Sequence, residues 1–437
     1  DNTWNYSLTH LTNQPVGFNL SQLYGSFYES ENYVKFGTVR EKDLRLYENG
    51  LMKESYINNQ AFPEIVSGDN VANLSNFPFW DHHGNKGKEA FKIPVALANM
   101  VPGFAAIHTL FFRNHQYMAK ELSIANPSWN DEKLFQTAKM LNMLTCLKIT
   151  MNDYVANALQ TSNVKIRFDA NIKDNFFYKL FAPKDFYPMN AIQTEFNFLY
   201  RWHQFYPNSV KILRRFDGNI NNKDDIQFEL EFPDVNKFEL QNWNSVDYFK
   251  GRIDDKEADN LWLERLLYSS CKQEAGQLTL RNTQPWLTNH VIRSGLNKNR
   301  YNGLASYNDY REYFGYQRVQ NWEDITENTN ILNALKNAYK TVDDIEYYVG
   351  IFAEDKEFGG IHGPLLADIG VGFTYTGIFA TRLLEHNIVN EKLLSNKGME
   401  LLGNVDQLYD LIKLHTKLGN NDLWKQLTFR MNTDHNN

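Results

Sequence analysis

A mainly α-helical fold is what this sequence predicts, on three observations. Leu144, Leu147, Met151, Tyr154, Val155 and Ala158 recur at core-facing helical intervals. Phe196, Leu199, Tyr200 and His203 stand at i, i+3, i+4 and i+7, the spacing that puts side chains on one helical face. Strand-like alternation is confined to short segments. The 437 residues suffice for one large or two ordinary domains, and no repeat or low-complexity linker divides them, so a single domain is expected.

Residues 1–90 are turn-rich, with short strands expected near 34–47. Residues 91–207 form the core helices. Ile93 to Leu122 reads as one long helix interrupted at Pro102-Gly103, and Ser128 and Asp131 supply cap chemistry for the next, after Pro127. A helix over roughly 188–205 carries the Phe196/His203 face and ends before Pro207. Residues 208–258 are charged and Asn-rich, and Gln227-Phe228-Glu229-Leu230-Glu231-Phe232 alternates like an exposed strand, so this stretch reads as an insertion. Residues 259–437 return to helices, at 341–353, 364–386 and 404–417.

Composition narrows the function classes. A net charge of −7 with interspersed signs argues against a nucleic-acid partner and gives no attraction to an anionic membrane. Cys146 and Cys271 are the only cysteines, both in helical segments, so neither a disulfide framework nor a metal–thiolate site is expected. No run of about eighteen apolar residues spans a bilayer. The chain begins at Asp1 without a signal-peptide pattern, as a processed or truncated polypeptide would, and its compartment is not legible.

The run Thr194-Glu195-Phe196-Asn197-Phe198-Leu199-Tyr200-Arg201-Trp202-His203 has two readings. A buried neutral imidazole one turn from a phenol suits a metal ligand beside a redox tyrosine; it equally suits a core helix with a hydrogen-bonded His and Tyr. Its wording, Glu-Phe-Asn-x-Leu-Tyr-x-Trp-His-x-x-x-Pro over 195–207, resembles the proximal-haem helix of the cyclooxygenase branch of the animal haem peroxidase superfamily. The Tyr-Arg-Trp-His variant is especially similar to fungal linoleate dioxygenases. Further segments resemble the family in its order. Phe18 to Gly25 resembles its loop ending in Tyr-Gly, and Leu44 to Leu51 the strand pair next in line. His108-Thr109-Leu110-Phe111-Phe112-Arg113-Asn114-His115 resembles its His-Thr-Leu helix. Tyr307 to Arg311 with Phe314-Gly315, and Asp344 to Gly350, resemble two later segments. The likeness spans most of residues 15–418.

The resemblance implies a multi-helical, cyclooxygenase-like catalytic domain lacking the N-terminal portion with the distal helix. It implies His203 as axial ligand of haem iron, Asn197 near the haem, and Tyr348 as the tyrosine supporting the proximal imidazole. Tyr200 matches the radical tyrosine, Tyr154 its hydrogen-bond partner and Val155 a channel neighbour. Thr374 falls where cyclooxygenases carry a serine above the substrate; Phe196 and Leu199 join the substrate channel. The implied cofactor is haem b, held non-covalently because no acid lies between Val95 and Val101, the region of the family's ester link. Calcium is not expected, since Pro15 and Asn19 replace the Thr and Asp ligands of calcium-binding members. His108 and His115 are expected as satisfied core residues, Arg113 as the partner of a buried carboxylate or haem propionate, and His82-His83 as exposed.

Peroxidase chemistry also needs a distal histidine as acid–base. The family places it upstream of the Tyr-Gly loop, and His10 is too near that loop to be its equivalent. The expected activity is haem-dependent oxygenation of an unsaturated fatty acid through a tyrosyl radical, with peroxidase activity. The alternative is a haem-free peroxidase fold serving as a structural subunit of a larger assembly. Protein partners, a homo-oligomer and membrane-surface or endomembrane-lumen association through upstream sequence stay open.

Overall fold

The computed structural model describes residues 20–25, 39–71, 87–155, 194–207, 209–231, 244–251, 261–284, 287–288, 292–356, 361–370 and 389–417. Helices dominate them, and six short strands form three separate antiparallel pairs.

The first two pairs are β1 (Glu54–Ile57) with β2 (Gln60–Pro63) and β3 (Ile65–Ser67) with β4 (Glu89–Phe91). Of the strands expected near 34–47, residues 34–38 lie outside the described residues, and over 39–47 no strand forms. Residues 41–44 are a short helix, and the Leu44–Leu51 stretch contributes one isolated bridge, Arg45 to Met52.

The long helix α1 (Pro102–Ala125) starts at Pro102 rather than being interrupted there. A proline as first helical residue lacks only an N–H that would find no partner in the helix. The preceding stretch holds a 3-10 turn at Ala96–Asn99. Helix α2 (Asp131–Ile149) is capped by Asn130, whose side chain accepts from the Lys133 amide at 2.9 Å, and not by Ser128 or Asp131. It runs on into a π-helical turn, Thr150–Val155.

The expected 188–205 helix is shorter on the residues described. Helix α3 covers Thr194–Leu199, the backbone breaks over Tyr200 to Trp202, and His203–Phe205 form a separate 3-10 turn. Trp202 at φ −86°, ψ 44° is the non-helical step. Phe196, Leu199 and Tyr200 therefore keep a common helical course, while His203 does not share it.

The strand expected at 227–232 is β6 (Ile226–Glu231), paired with β5 (Ser209–Leu213). It is not an exposed flap. Ile212, Leu213 and Leu230 are buried, as are Val246, Tyr248 and Phe249 of the next helix, Ser245–Lys250. Six such side chains, each stabilising by about 1.5–3 kcal/mol when buried, belong to the core. They pack with α4 (Trp262–Cys271), where the Ser269 hydroxyl accepts from the Leu213 amide at 3.0 Å.

Four apolar clusters are seen among the described residues, the fourth a small one of Val71, Ala90 and Met100, and three large ones organise the fold. The first joins the strand pairs, α1, α4 and α8 (Leu408–His415). The second surrounds α3 with α5 (Tyr307–Tyr313), α6 (Tyr347–Ala353) and residues 365–369. The third lies between α1, α2 and α7 (Glu391–Gly403). No described helix is long and apolar enough to cross a membrane.

Candidate functional site

Buried polar groups pin α3 in place. Glu195 is buried, accepts from the Tyr310 hydroxyl at 2.8 Å, and offers its backbone carbonyl to the Tyr347 hydroxyl at 3.2 Å. Burial, then the Glu195 charge, pushes the Tyr347 phenol far up, so it stays a donor. Helix α6 meets α5 where Gly350 lies against the Tyr307 ring. A Cβ there would stand 2.2 Å from that ring, so only glycine permits the approach. Tyr348 on α6 reaches the break after α3: its hydroxyl donates to the Arg201 carbonyl at 3.4 Å and also bonds Gln204, while no described bond joins it to the His203 ring.

At the break, aromatic rings collect. Trp202 stacks on Tyr200 with centroids 4.9 Å apart and planes 14° from parallel. Phe196 meets the same tyrosine at 4.7 Å. Tyr154, delivered by the π-turn, lies 5.9 Å from Trp202 and is hydrogen-bonded to Tyr200. Burial first, then Tyr200, pushes the Tyr154 phenol well up. Tyr200 keeps 37 % of its surface exposed and so is reachable by a ligand.

His203 is half-buried. Burial and then the neighbouring Arg201 charge hold its pKa below the usual value, so the ring is neutral near pH 7. The Arg201 backbone lies near enough to the ring to raise its pKa a little, but Nδ1 makes no well-formed hydrogen bond among the described residues, nor do Arg201 Nε, Trp202 Nε1 and Gln204 Oε1. Four consecutive residues that each carry a buried, unsatisfied atom are unusual, because buried polar atoms are almost always paired. Glu195 Oε2 adds a fifth. Such a cluster is what a polar or metal-bearing group lying against 195–204 would leave behind.

The other expected residues are distributed more widely. Asn197 accepts from Arg201 at 3.2 Å, an i,i+4 bond along α3. Leu199 is fully buried in the second cluster. Val155 packs against the third cluster. Thr374, like Pro15, Asn19, His10, His82 and His83, lies outside the described residues. Arg113 corrects an expectation. Its described bonds run to the Ala61 and His415 carbonyls and to Gln60, and Glu264 acts on it only through space. Sequence reading missed Trp202 as the partner of Tyr200, although it stands inside the quoted run, and it missed His362, whose ring lies 5.5 Å from Trp202. Nothing in the wording around Ile361-His362-Gly363 signals that contact.

The fold is a haem-peroxidase architecture, and the chain belongs to the animal haem peroxidase family, whose sequence profile matches residues 20–420. Members of this family usually bind haem. Among individual proteins, it is 25 % identical to prostaglandin G/H synthase 2 of Gallus gallus over 397 residues, covering 91 % of this chain and 57 % of that one. Peroxidase A of Dictyostelium discoideum superposes with a TM-score of 0.64 at 22 % identity, over 92 % of this chain and 69 % of its own. A fatty acid alpha-dioxygenase variant of Oryza sativa, crystallised with palmitic acid, gives 0.67 at 16 % identity, over 92 % and 64 %. The chain spans about half the length of the curated relatives it matches.

Proposed function

We propose that this chain carries the proximal part of a haem-dependent oxygenase of unsaturated fatty acids, with associated peroxidase activity. One observation supports the reading above others. A neutral, half-buried imidazole, its Nδ1 unpaired among the described residues, sits three residues from a tyrosine hydrogen-bonded to a second tyrosine. An imidazole binds iron through one ring nitrogen in its neutral form, so the side chain fits an axial ligand. Haem, when bound, supplies the oxidising power that removes an electron from Tyr200. No acid lies between Val95 and Val101, and Asn99 there is bonded to the Phe91 backbone, so the group is held without a covalent link.

The chain's own residues do the rest. Tyr200, having lost its electron and phenolic proton, takes a hydrogen atom from a bis-allylic carbon; the new O–H restores the phenol, the carbon radical adds O₂, and the peroxyl radical takes the hydrogen back from Tyr200 to give the hydroperoxide and renew the tyrosyl radical. Tyr154, kept protonated by burial, donates to the Tyr200 oxygen and holds it in place. Phe196 and Leu199 supply apolar wall, and the palmitic acid held by the rice relative supports an acyl chain as ligand.

The test is oxygen uptake with linoleate by haem-reconstituted protein, beside its Tyr200→Phe variant. Uptake vanishes in the variant while peroxide-driven oxidation of small aromatic donors survives. Oxygenation that persists without the Tyr200 hydroxyl sinks the radical mechanism. Absence of both a Soret band and uptake in the parent chain favours the haem-free subunit instead.

A further inference from the structure

Trp202 and Tyr200 lie almost flat on one another, with centroids 4.9 Å apart and planes 14° from parallel. Trp262 and Tyr248 pair differently, edge to face, at 5.7 Å and 74°. Flat stacking brings two π-systems into direct overlap, the arrangement through which an electron passes most readily between rings. Indole and phenol are also the ring side chains that lose one electron at similar potentials, so transfer between them needs little driving force.

The direction of transfer is set by where each proton can go. An oxidised phenol settles as a neutral radical once its proton has left, and Tyr200 keeps 37 % of its surface exposed, so solvent can take that proton. Tyr154 is hydrogen-bonded to Tyr200 and stays protonated, so the oxygen of a radical at Tyr200 accepts a stabilising hydrogen bond. The Trp202 Nε1–H is buried and has no acceptor among the described residues, whereas a buried indole N–H usually finds one. An oxidised Trp202 therefore keeps its proton and stays a cation. The Phe205 ring, at 5.8 Å, and its half-buried setting disfavour that charge. The indole is thus a poor place for the oxidising equivalent to rest and the phenol a good one. Tyr248 shows the contrary case: it is buried, and its hydroxyl donates to the Trp262 carbonyl at 3.2 Å, a base too weak to take the proton.

We propose that Trp202 is an electron relay for Tyr200, so that an oxidising equivalent reaches the phenol through the indole stacked on it. This rests on the tyrosyl-radical reading above and deepens it. The indole gives one electron to the oxidant, a peroxide-oxidised haem under that reading, and becomes a radical cation with its N–H intact. Tyr200 then gives one electron to the indole and its phenolic proton to solvent. Trp202 is restored, and the net change is one electron and one proton lost from Tyr200. Trp202 also adjoins His203 in the chain, the residue proposed to hold the haem.

Pulse radiolysis of the full chain in azide solution tests this with no haem, peroxide or fatty acid present. The azide radical takes one electron from indole side chains, and indolyl and phenoxyl radicals absorb at different wavelengths. In wild type, part of the indolyl signal decays as phenoxyl signal grows, at a rate independent of protein concentration. Trp202→Phe and Tyr200→Phe each keep an aromatic ring in the stack, and both lose the same component of that phase. Circular dichroism confirms that each variant is folded. No such phase in wild type, a phase unchanged in Trp202→Phe, or one lost there but kept in Tyr200→Phe overturns the relay. These outcomes leave the oxygenase reading standing, whereas absent oxygen uptake with linoleate defeats that reading and leaves the radiolysis phase as it is.

Discussion

His115 on α1 and His203 beyond α3 both sit among aromatic rings, yet they close their hydrogen bonds differently. The Nε2 of His115 faces the Gly50 carbonyl at 2.9 Å, and its Nδ1 lies 2.8 Å from the Tyr24 hydroxyl. A carbonyl only accepts, so Nε2 carries the proton and Nδ1 accepts from the phenol. Asn142 donates to the same phenol at 3.0 Å and to the Phe111 carbonyl at 2.9 Å. That region, joining the 20–25 segment to α1 and α2, is complete in itself. His203 instead stands in a row of four residues with atoms unpaired among the described residues. His115 uses both nitrogens within the chain, and the histidine proposed as haem ligand is the one that does not.

The contrast is broken or sharpened most strongly by two alanine variants. His203→Ala is expected to abolish the Soret band of haem-reconstituted protein while thermal stability stays near that of wild type. Unchanged haem stoichiometry would reject the ligand assignment. His115→Ala should do the reverse, retaining haem but losing about 2–4 kcal/mol in denaturant unfolding, since it leaves a cavity and strands the Tyr24 hydroxyl and Gly50 carbonyl. A loss below about 1 kcal/mol would show that the network is not structural.

A pH effect comes next. Burial holds His108 and His115 at about 4 and His415 at about 3, against 6.5 in an unfolded chain. Their folded values are depressed, so the stability they contribute is present above pH 6.5 and lost as pH falls toward 4. Each costs up to about 1.4 kcal/mol per pH unit across that window. His362 is likewise held at about 4, so equilibrium unfolding between pH 7 and 4.5 should show this slope and His115→Ala should flatten it by no more than about a quarter. A slope unchanged in the variant would mean that His115 is charged in the folded state.

The smallest effect is expected for Tyr348→Phe. Its hydroxyl holds the Arg201 carbonyl at 3.4 Å and Gln204 rather than the imidazole, so it steadies the break without fixing a tautomer. Haem affinity should fall by less than about tenfold, the low end for partners that act directly on a ligand. A hundredfold fall in a haem titration would place the tyrosine in contact with His203 once the group is bound.

Much of the fold was legible because periodicity and ordered motifs both register in residue identity. The α1 and α2 helices and the helix containing α6 arise from such patterns. The break after Leu199 was not legible: Tyr200-Arg201-Trp202 contains no glycine or proline, and the contacts found there are the local Trp202–Tyr200 stack and the tertiary bond of Tyr348 to the Arg201 carbonyl. The cap of α2 was misplaced by one competing residue type, since Ser128 and Asn130 are both good caps and only the geometry selects Asn130. The burial of β6 was hidden because its alternation matches a strand covered on one face whether that face meets water or α4. His362 was invisible for a different reason: a lone His-Gly in a loop has no periodicity, and its neighbour Trp202 is far away in sequence.

The π-helical turn at Thr150–Val155 has a consequence for how the site can vary. A π-turn holds one residue more than an α-turn, as a single-residue insertion into a helix does. Removing any one residue there would let the turn relax to α geometry and rotate the downstream chain by about 100°. Tyr154 would then swing off Trp202 and Tyr200 with its identity unchanged, while α2 upstream kept its packing. Chain length at this point therefore specifies the tyrosine pair as firmly as side-chain chemistry does, and a one-residue deletion would disarm it more thoroughly than many substitutions.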